Sequence, residues 1–310
     1  GVGKSVAVCN LGIVLARLGR RVILADLDVG GANLHVLLGA FAPARTLSDF
    51  LTRRVERLAD VLEPVAFCRN LSLLPGAAES LETANPRHAS RGRLLRELAR
   101  LDADVVIVDL GAGMSLTTLD GFLAGDVQVA VATPDAASVV DVYTLLKLAA
   151  VRRVQQALGA RSAAGAAVGR QEFASVDALV EAARAIDPAA HARALTAVGT
   201  FRPQLLLNRT GGGGAVNLLR LNRTLRQYLG AEVALLGEIP EDAAIARAAR
   251  IYQAVTEHEP ESPAGRGFLE AARRLAGLLP QPGRAPSRDA PAATAGVASI
   301  APTYFEPEAK

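Results

Sequence analysis

The chain should fold as an α/β protein, with a mostly parallel, doubly wound sheet and helices on both of its faces. Short aliphatic runs at 22–25, 71–74, 105–108, 127–132, 205–207 and 233–236 are separated mostly by helical patterns, the alternation that builds a parallel sheet. These runs are apolar almost throughout rather than at every second residue, as strands are when helices cover both faces. Half of the 310 residues are hydrophobic, enough for one large core, so one main domain over 1–279 is expected.

The elements follow in order. A helix over 4–18 is apolar nearly all round and stops at Gly19, where a residue free to take positive φ suits a helix end. Between 159 and 200 an Ala-rich stretch carries Phe173, Val176, Leu179, Val180, Ile186 and Leu195. It is longer than the usual connection and is read as a helical insertion. From 263 to 279, Phe268, Ala272, Leu275 and Leu279 recur at three- and four-residue steps, with Arg266, Glu270, Arg273 and Arg274 mostly elsewhere on the wheel. That predicts a last helix docked on the core rather than lying on a membrane. Beyond it, 280–310 is rich in proline and small residues, with too little apolar surface to offset the entropy of ordering, and a disordered tail is expected.

Bulk properties exclude several classes of function. The formal charge is 34 − 31 = +3, too weak a balance to argue for nucleic acid or a membrane by electrostatics alone. Cys9 and Cys68 lack C-x-x-C spacing, which suggests neither a disulfide framework nor an iron–sulfur or zinc site. The unpaired cysteines suit a reduced cytosol, and no apolar stretch approaches the ~18 residues of a membrane span, so a soluble protein is expected, either free in the cytoplasm or peripheral to the inner face of the membrane.

Three strand-end motifs carry the chemistry. Gly1-Val2-Gly3-Lys4-Ser5, followed at once by an apolar helix, is the back half of a G-x-x-x-x-G-K-[ST] phosphate loop. Its glycines turn backbone N–H groups onto phosphate oxygens, the helix N-terminus adds positive dipole, Lys4 supplies a full charge and the Ser5 hydroxyl can bind Mg²⁺. That motif ordinarily follows a β-strand, so a first strand is expected upstream of Gly1. After the run 22–25 comes Asp26-Leu27-Asp28-Val29-Gly30-Gly31-Ala32-Asn33-Leu34. Carboxylates at the C-terminal edge of a parallel sheet face the ligand crevice, and alternate residues point to one side, so Asp26 and Asp28 could both approach phosphates. The competing reading is that either merely caps a turn or a helix start. The third motif is Val105-Val106-Ile107-Val108-Asp109-Leu110-Gly111-Ala112-Gly113, a Walker B pattern whose aspartate can hold the Mg²⁺ shell and whose glycines let backbone pass close to the γ-phosphate.

Together GVGKS, DLDVGGANLH and VDLGAG resemble the MinD/ParA deviant Walker P-loop ATPases, particularly the MinD and FlhG branch, over 1–279. Thr133-Pro134-Asp135 with a helix from Ser138, Leu205-Leu206-Leu207-Asn208-Arg209, Ile239-Pro240-Glu241-Asp242 and Glu259-Pro260 with Ser262-Pro263 resemble further segments of that branch. The resemblance implies ATP and Mg²⁺ as cofactors. It places Gly1, Val2, Gly3, Lys4, Ser5, Val6 and Gly111 around the phosphates, with Lys4 and Asp28 in catalysis and Asp28 activating water. It further implies Ser5, Asp26 and Asp109 at the metal or its water shell, and Asn208, Arg209, Pro240 and Asp242 around adenine. A second lysine that opens the family's loop would lie two residues before Gly1.

What the resemblance implies about function is an ATP-gated homodimer, slow in hydrolysis and stimulated or read by a protein partner, that places the flagellum or the division site. Membrane contact is expected to be weak or indirect. The alternative is a ParA-like partition ATPase whose dimer binds DNA non-specifically. The spelling DLDVGGANLH favours the first, because ParA-like chains usually carry a PQG turn there. Relatives that carry metal clusters or pump arsenite need paired cysteines, which this chain lacks.

Overall fold

The computed structural model describes all residues except 29–30, 77–87, 112, 160–161, 169–172, 174, 212–221, 224, 228–231, 281–295 and 303–310. Val29, Gly30 and Ala112 of the strand-end motifs, and most of the expected tail, therefore lie outside the described residues.

Eight strands form one sheet in the order β2-β3-β1-β4-β8-β5-β6-β7. They are β1 (Val22–Leu27), β2 (Glu63–Pro64), β3 (Leu71–Leu74), β4 (Val105–Leu110), β5 (Val127–Ala132), β6 (Gln204–Thr210), β7 (Ala234–Pro240) and β8 (Gly296–Pro302). Every neighbouring pair is parallel except the short β2–β3 pair at one edge. All six predicted runs are strands: 71–74 and 127–132 have the predicted bounds, and the other four are extended or shifted by a few residues.

Alternate residues of each strand feed opposite faces, which is why near-continuous aliphatic runs were needed. Leu24, Val105, Ile107, Val129, Val131 and Leu206 pack on one face with helix α1 (Lys4–Arg17) and the last helix (Pro263–Leu278). Ile23, Val106, Val108, Ala130, Leu205 and Leu207 pack on the other with the helices Leu116–Ala124 and Ala136–Leu158. The doubly wound architecture is thus a direct product of the sequence pattern.

The stretch read as an insertion is helical: Ala163–Val168, Val176–Ile186 and Pro188–Gly199. Ser175 and Asp187 cap the second and third through their side chains, each satisfying a backbone N–H that has no partner inside its helix. Val176, Leu179 and Val180 are buried there, whereas Ile186 and Leu195 are exposed. The last helix starts at Pro263 behind the Ser262 cap and buries Phe268, Ala271, Ala272 and Leu275 against the core, so its apolar face is taken up by protein. Among the described residues, no helix is long and apolar enough to cross a membrane.

The tail departs from expectation. Residues 296–302, predicted to stay disordered, form β8 between β4 and β5, parallel to both. Its sequence GVASIAP is poor in β-branched residues, so propensity gave no strand signal. Pairing on both sides supplies the backbone hydrogen bonds that override it.

Candidate nucleotide site

The site lies where α1 begins and where β1 and β4 end. Val2 is buried and Gly1 exposed. Gly3 precedes α1 with a φ of 86°, and a Cβ there would run into Nδ2 of Asn208, so conformation and space both require glycine. The helix therefore starts at Lys4, with its unpaired N–H groups and dipole at the loop.

β1 and β4 pair in a register that sets Asp26 opposite Asp109. Lys4 is buried, and its Nζ donates to Oδ1 of Asp109 at 2.5 Å and lies 3.5 Å from Oδ2 of Asp28. Asp109 is fully buried, and its other oxygen, Oδ2, has no hydrogen-bond partner among the described residues. Burial raises the Asp109 pKa above the ordinary carboxylate value, against the pull of Lys4 and the Ser5 hydroxyl, while Asp28 adds repulsion. Asp26, also fully buried, is pushed up to about 6, first by loss of water and then by the charge of Asp109.

Asp26 is also a cap. Its Oδ1 accepts from the N–H of Asp28 at 3.1 Å, and its Oδ2 accepts from the N–H groups of Asn33 and Leu34 at 3.0 and 3.1 Å. It thereby starts the short helix α2 (Leu34–Leu37) and ties the loop after β1 to the end of the strand. The capping reading holds for Asp26 without removing it from the carboxylate cluster. Asp28 is partly open, with 21% of its side chain exposed. Gly111 makes room for it, since a Cβ there would stand 2.7 Å from Asp28 Oδ1.

The residues expected around adenine are scattered by comparison. Asn208, 4% exposed, donates from Nδ2 to the Val2 carbonyl at 2.8 Å, so it holds the loop. Arg209 is exposed with a left-handed φ of 56°. Pro240 pairs with Thr210 where β6 and β7 end. Asp242 caps two helices at once, accepting from Ala244 N–H at 2.9 Å and Ala264 N–H at 3.1 Å, and the Ala244 N–H is the main reason its pKa is lowered. Val6, next in the chain to Ser5, lines a cleft with Cys9, Asn10, Leu37 and Ile245.

One buried polar tie was not foreseen. Asn10, in the middle of α1, accepts at Oδ1 from both the N–H and the hydroxyl of Thr256, each at 2.9 Å. A lone asparagine among the aliphatic residues of that helix was the available signal, because a buried amide must find partners.

The nucleotide-binding domain pattern described as CobQ/CobB/MinD/ParA matches residues 1–88, the span that contains the phosphate loop and the Asp26–Asp28 motif. Residues 1–88 thus carry a MinD/ParA-type nucleotide-binding sequence pattern. The chain is 36% identical over 151 residues to the antiactivator FleN of Pseudomonas aeruginosa, an alignment covering 48% of this chain and 52% of FleN. It is 31% identical over 151 residues to the flagellum site-determining protein YlxH of Helicobacter pylori, covering 48% of this chain and 50% of YlxH. The chain thus spans about half the length of these curated relatives. Among solved structures, the septum site-determining protein MinD of Pyrococcus horikoshii OT3, complexed with Mg-ADP, superposes with a TM-score of 0.61 at 20% identity, covering 90% of this chain and 92% of that one. The MinD-like P-loop fold therefore extends well past residue 88.

Proposed function

We propose that this chain is a slow, Mg²⁺-dependent ATPase that acts as an ATP-gated dimeric switch in placing the flagellum or the division site. The observation that carries the proposal is Lys4, held at the N-terminus of α1 between Asp109 and Asp28. A buried ammonium beside a helix N-terminus is a receptor for the β/γ-phosphates, and the two carboxylates on either side hold it aimed until phosphate arrives.

The residues fit a metal as well. The unpartnered Oδ2 of Asp109, beside the Ser5 hydroxyl, is a buried acceptor that matches a water of a Mg²⁺ shell. Ser5 and Asp109 would hold the ion, with Asp26 behind them. Bound there, Mg²⁺ supplies positive charge to the phosphate oxygens. Lys4 leaves Asp109 for the phosphates. Asp28, partly exposed, accepts a hydrogen bond from the attacking water and orients it. Asp26, through its backbone contacts, keeps the loop bearing Asp28 in place.

The placement role draws on FleN and YlxH, and a protein partner that stimulates or reads the switch follows from the same likeness. The test is phosphate release under Mg-ATP together with light scattering. Wild-type protein should turn over slowly and form a dimer with ATP. Asp28→Ala should retain ATP, lose turnover and accumulate as dimer; Asp28→Ala that stays monomeric with ATP bound defeats the switch.

A further inference from the structure

The end of β6 reaches the phosphate loop through one side chain. The register of β6 against β7 shifts between Asn208 and Thr210, and Arg209 at the shift adopts a left-handed φ of 56°. Such a bulge places an extra residue in one strand and re-aims the side chain beside it. A non-glycine residue in this conformation is uncommon and is held by its surroundings. Here the re-aimed side chain is Asn208, buried, with Nδ2 on the Val2 carbonyl at 2.8 Å and Oδ1 without a partner among the described residues.

That bond fixes a particular peptide. A trans peptide holds its C=O and N–H on opposite sides. With the Val2 carbonyl drawn toward β6, the Gly3 N–H is turned the other way, the orientation a loop of inward-pointing N–H groups needs to cradle an anion. The φ of 86° at Gly3 continues the same turn, and any side chain at Gly3 would displace Asn208.

We propose that Asn208 is a positioning residue for the phosphate loop, fixing the Val2–Gly3 peptide in its anion-binding orientation; this rests on the nucleotide site proposed above. Asn208 acts before any base is bound, and its effect reaches ligands that have no base. The bulge at Arg209 is the device that delivers it.

Calorimetry with two ligands tests this: Mg-ATP, and Mg-tripolyphosphate, which has the phosphates and no base. Wild-type protein, Asn208→Ala and Asn208→Leu are compared, with the melting temperature of each nucleotide-free protein measured alongside. Leu keeps the volume and removes the orphaned Oδ1, so it preserves folding where Ala leaves a cavity. Loss of one buried hydrogen bond predicts about five- to tenfold weaker tripolyphosphate binding in both variants, without a matching loss of melting temperature in Asn208→Leu. Unchanged tripolyphosphate affinity overturns the inference, whether ATP affinity falls, as it would if Asn208 met only the base, or holds. A wild-type protein that binds neither ligand overturns the nucleotide site itself, and the inference with it.

Discussion

Lys4→Ala tests the electrostatics of the site without any nucleotide present. Lys4 Nζ lies 2.5 Å from Asp109 Oδ1, and both side chains are almost wholly buried. At that distance and an effective dielectric constant near 20 the attraction is about 7 kcal/mol. Taking two charges out of water offsets much of it, so the intact pair adds little net stability. Removing the ammonium alone is different, because it leaves Asp109 buried, unpaired and beside Asp26 and Asp28. A lone buried charge of this kind costs about 3–5 kcal/mol. The double variant Lys4→Ala/Asp109→Asn removes the stranded charge and should recover most of that loss. Urea denaturation at pH 7 of the nucleotide-free protein and both variants measures it. If Lys4→Ala unfolds at the wild-type urea concentration, or if the second substitution restores nothing, the buried pair does not exist in solution.

The pH dependence of the nucleotide-free protein follows from Asp26, whose folded pKa is raised from 3.8 to about 6. With the folded value above the unfolded one, its contribution to stability is fully present below pH ~4 and is lost as pH rises through ~6, about 3 kcal/mol in all. Chemical denaturation between pH 4 and 7 should show this slope, and Asp26→Asn should flatten it; an equal slope in the variant contradicts the assignment. Asn10→Ala strands the buried N–H and hydroxyl of Thr256 and should cost about 1–3 kcal/mol in urea unfolding with ATP affinity kept. Deleting 296–302 unpairs the facing edges of β4 and β5. The melt should then lose its cooperativity, and backbone amides of β4 should exchange hydrogen faster; unaltered exchange in β4 would mean that β8 does not pair there.

How far the sequence discloses the molecule depends on the range of each signal. The sheet, its two covered faces and the first helix were legible because each rests on local apolar pattern. Lys4, Asp28 and Asp109 were legible because helix starts and strand ends put them at one edge of the sheet. Asp26 was legible as a carboxylate at the edge, but its three backbone partners were not, since they depend on how the loop after β1 folds back. Asn208 was singled out through resemblance alone. Its bond to Val2 spans 206 positions and needs a bulge that no composition announces. Asp242, expected near a base, caps two helices because Ser262 and Pro263 bring the last helix to it. β8 was hidden for the opposite reason: its place is dictated by the two strands beside it, while its own residues argue for a tail.

The central claim is that Lys4 is a phosphate receptor, and titration calorimetry of the wild-type protein and Lys4→Ala/Asp109→Asn with ATP, each with Mg²⁺ and with EDTA, tests it most directly. That double variant is chosen because it removes the ammonium without stranding the Asp109 charge. Saturable binding by the wild-type protein that is stronger with Mg²⁺, and absent in the folded double variant, is the predicted result. Equal ATP affinity in the two proteins, or binding by neither, would contradict it.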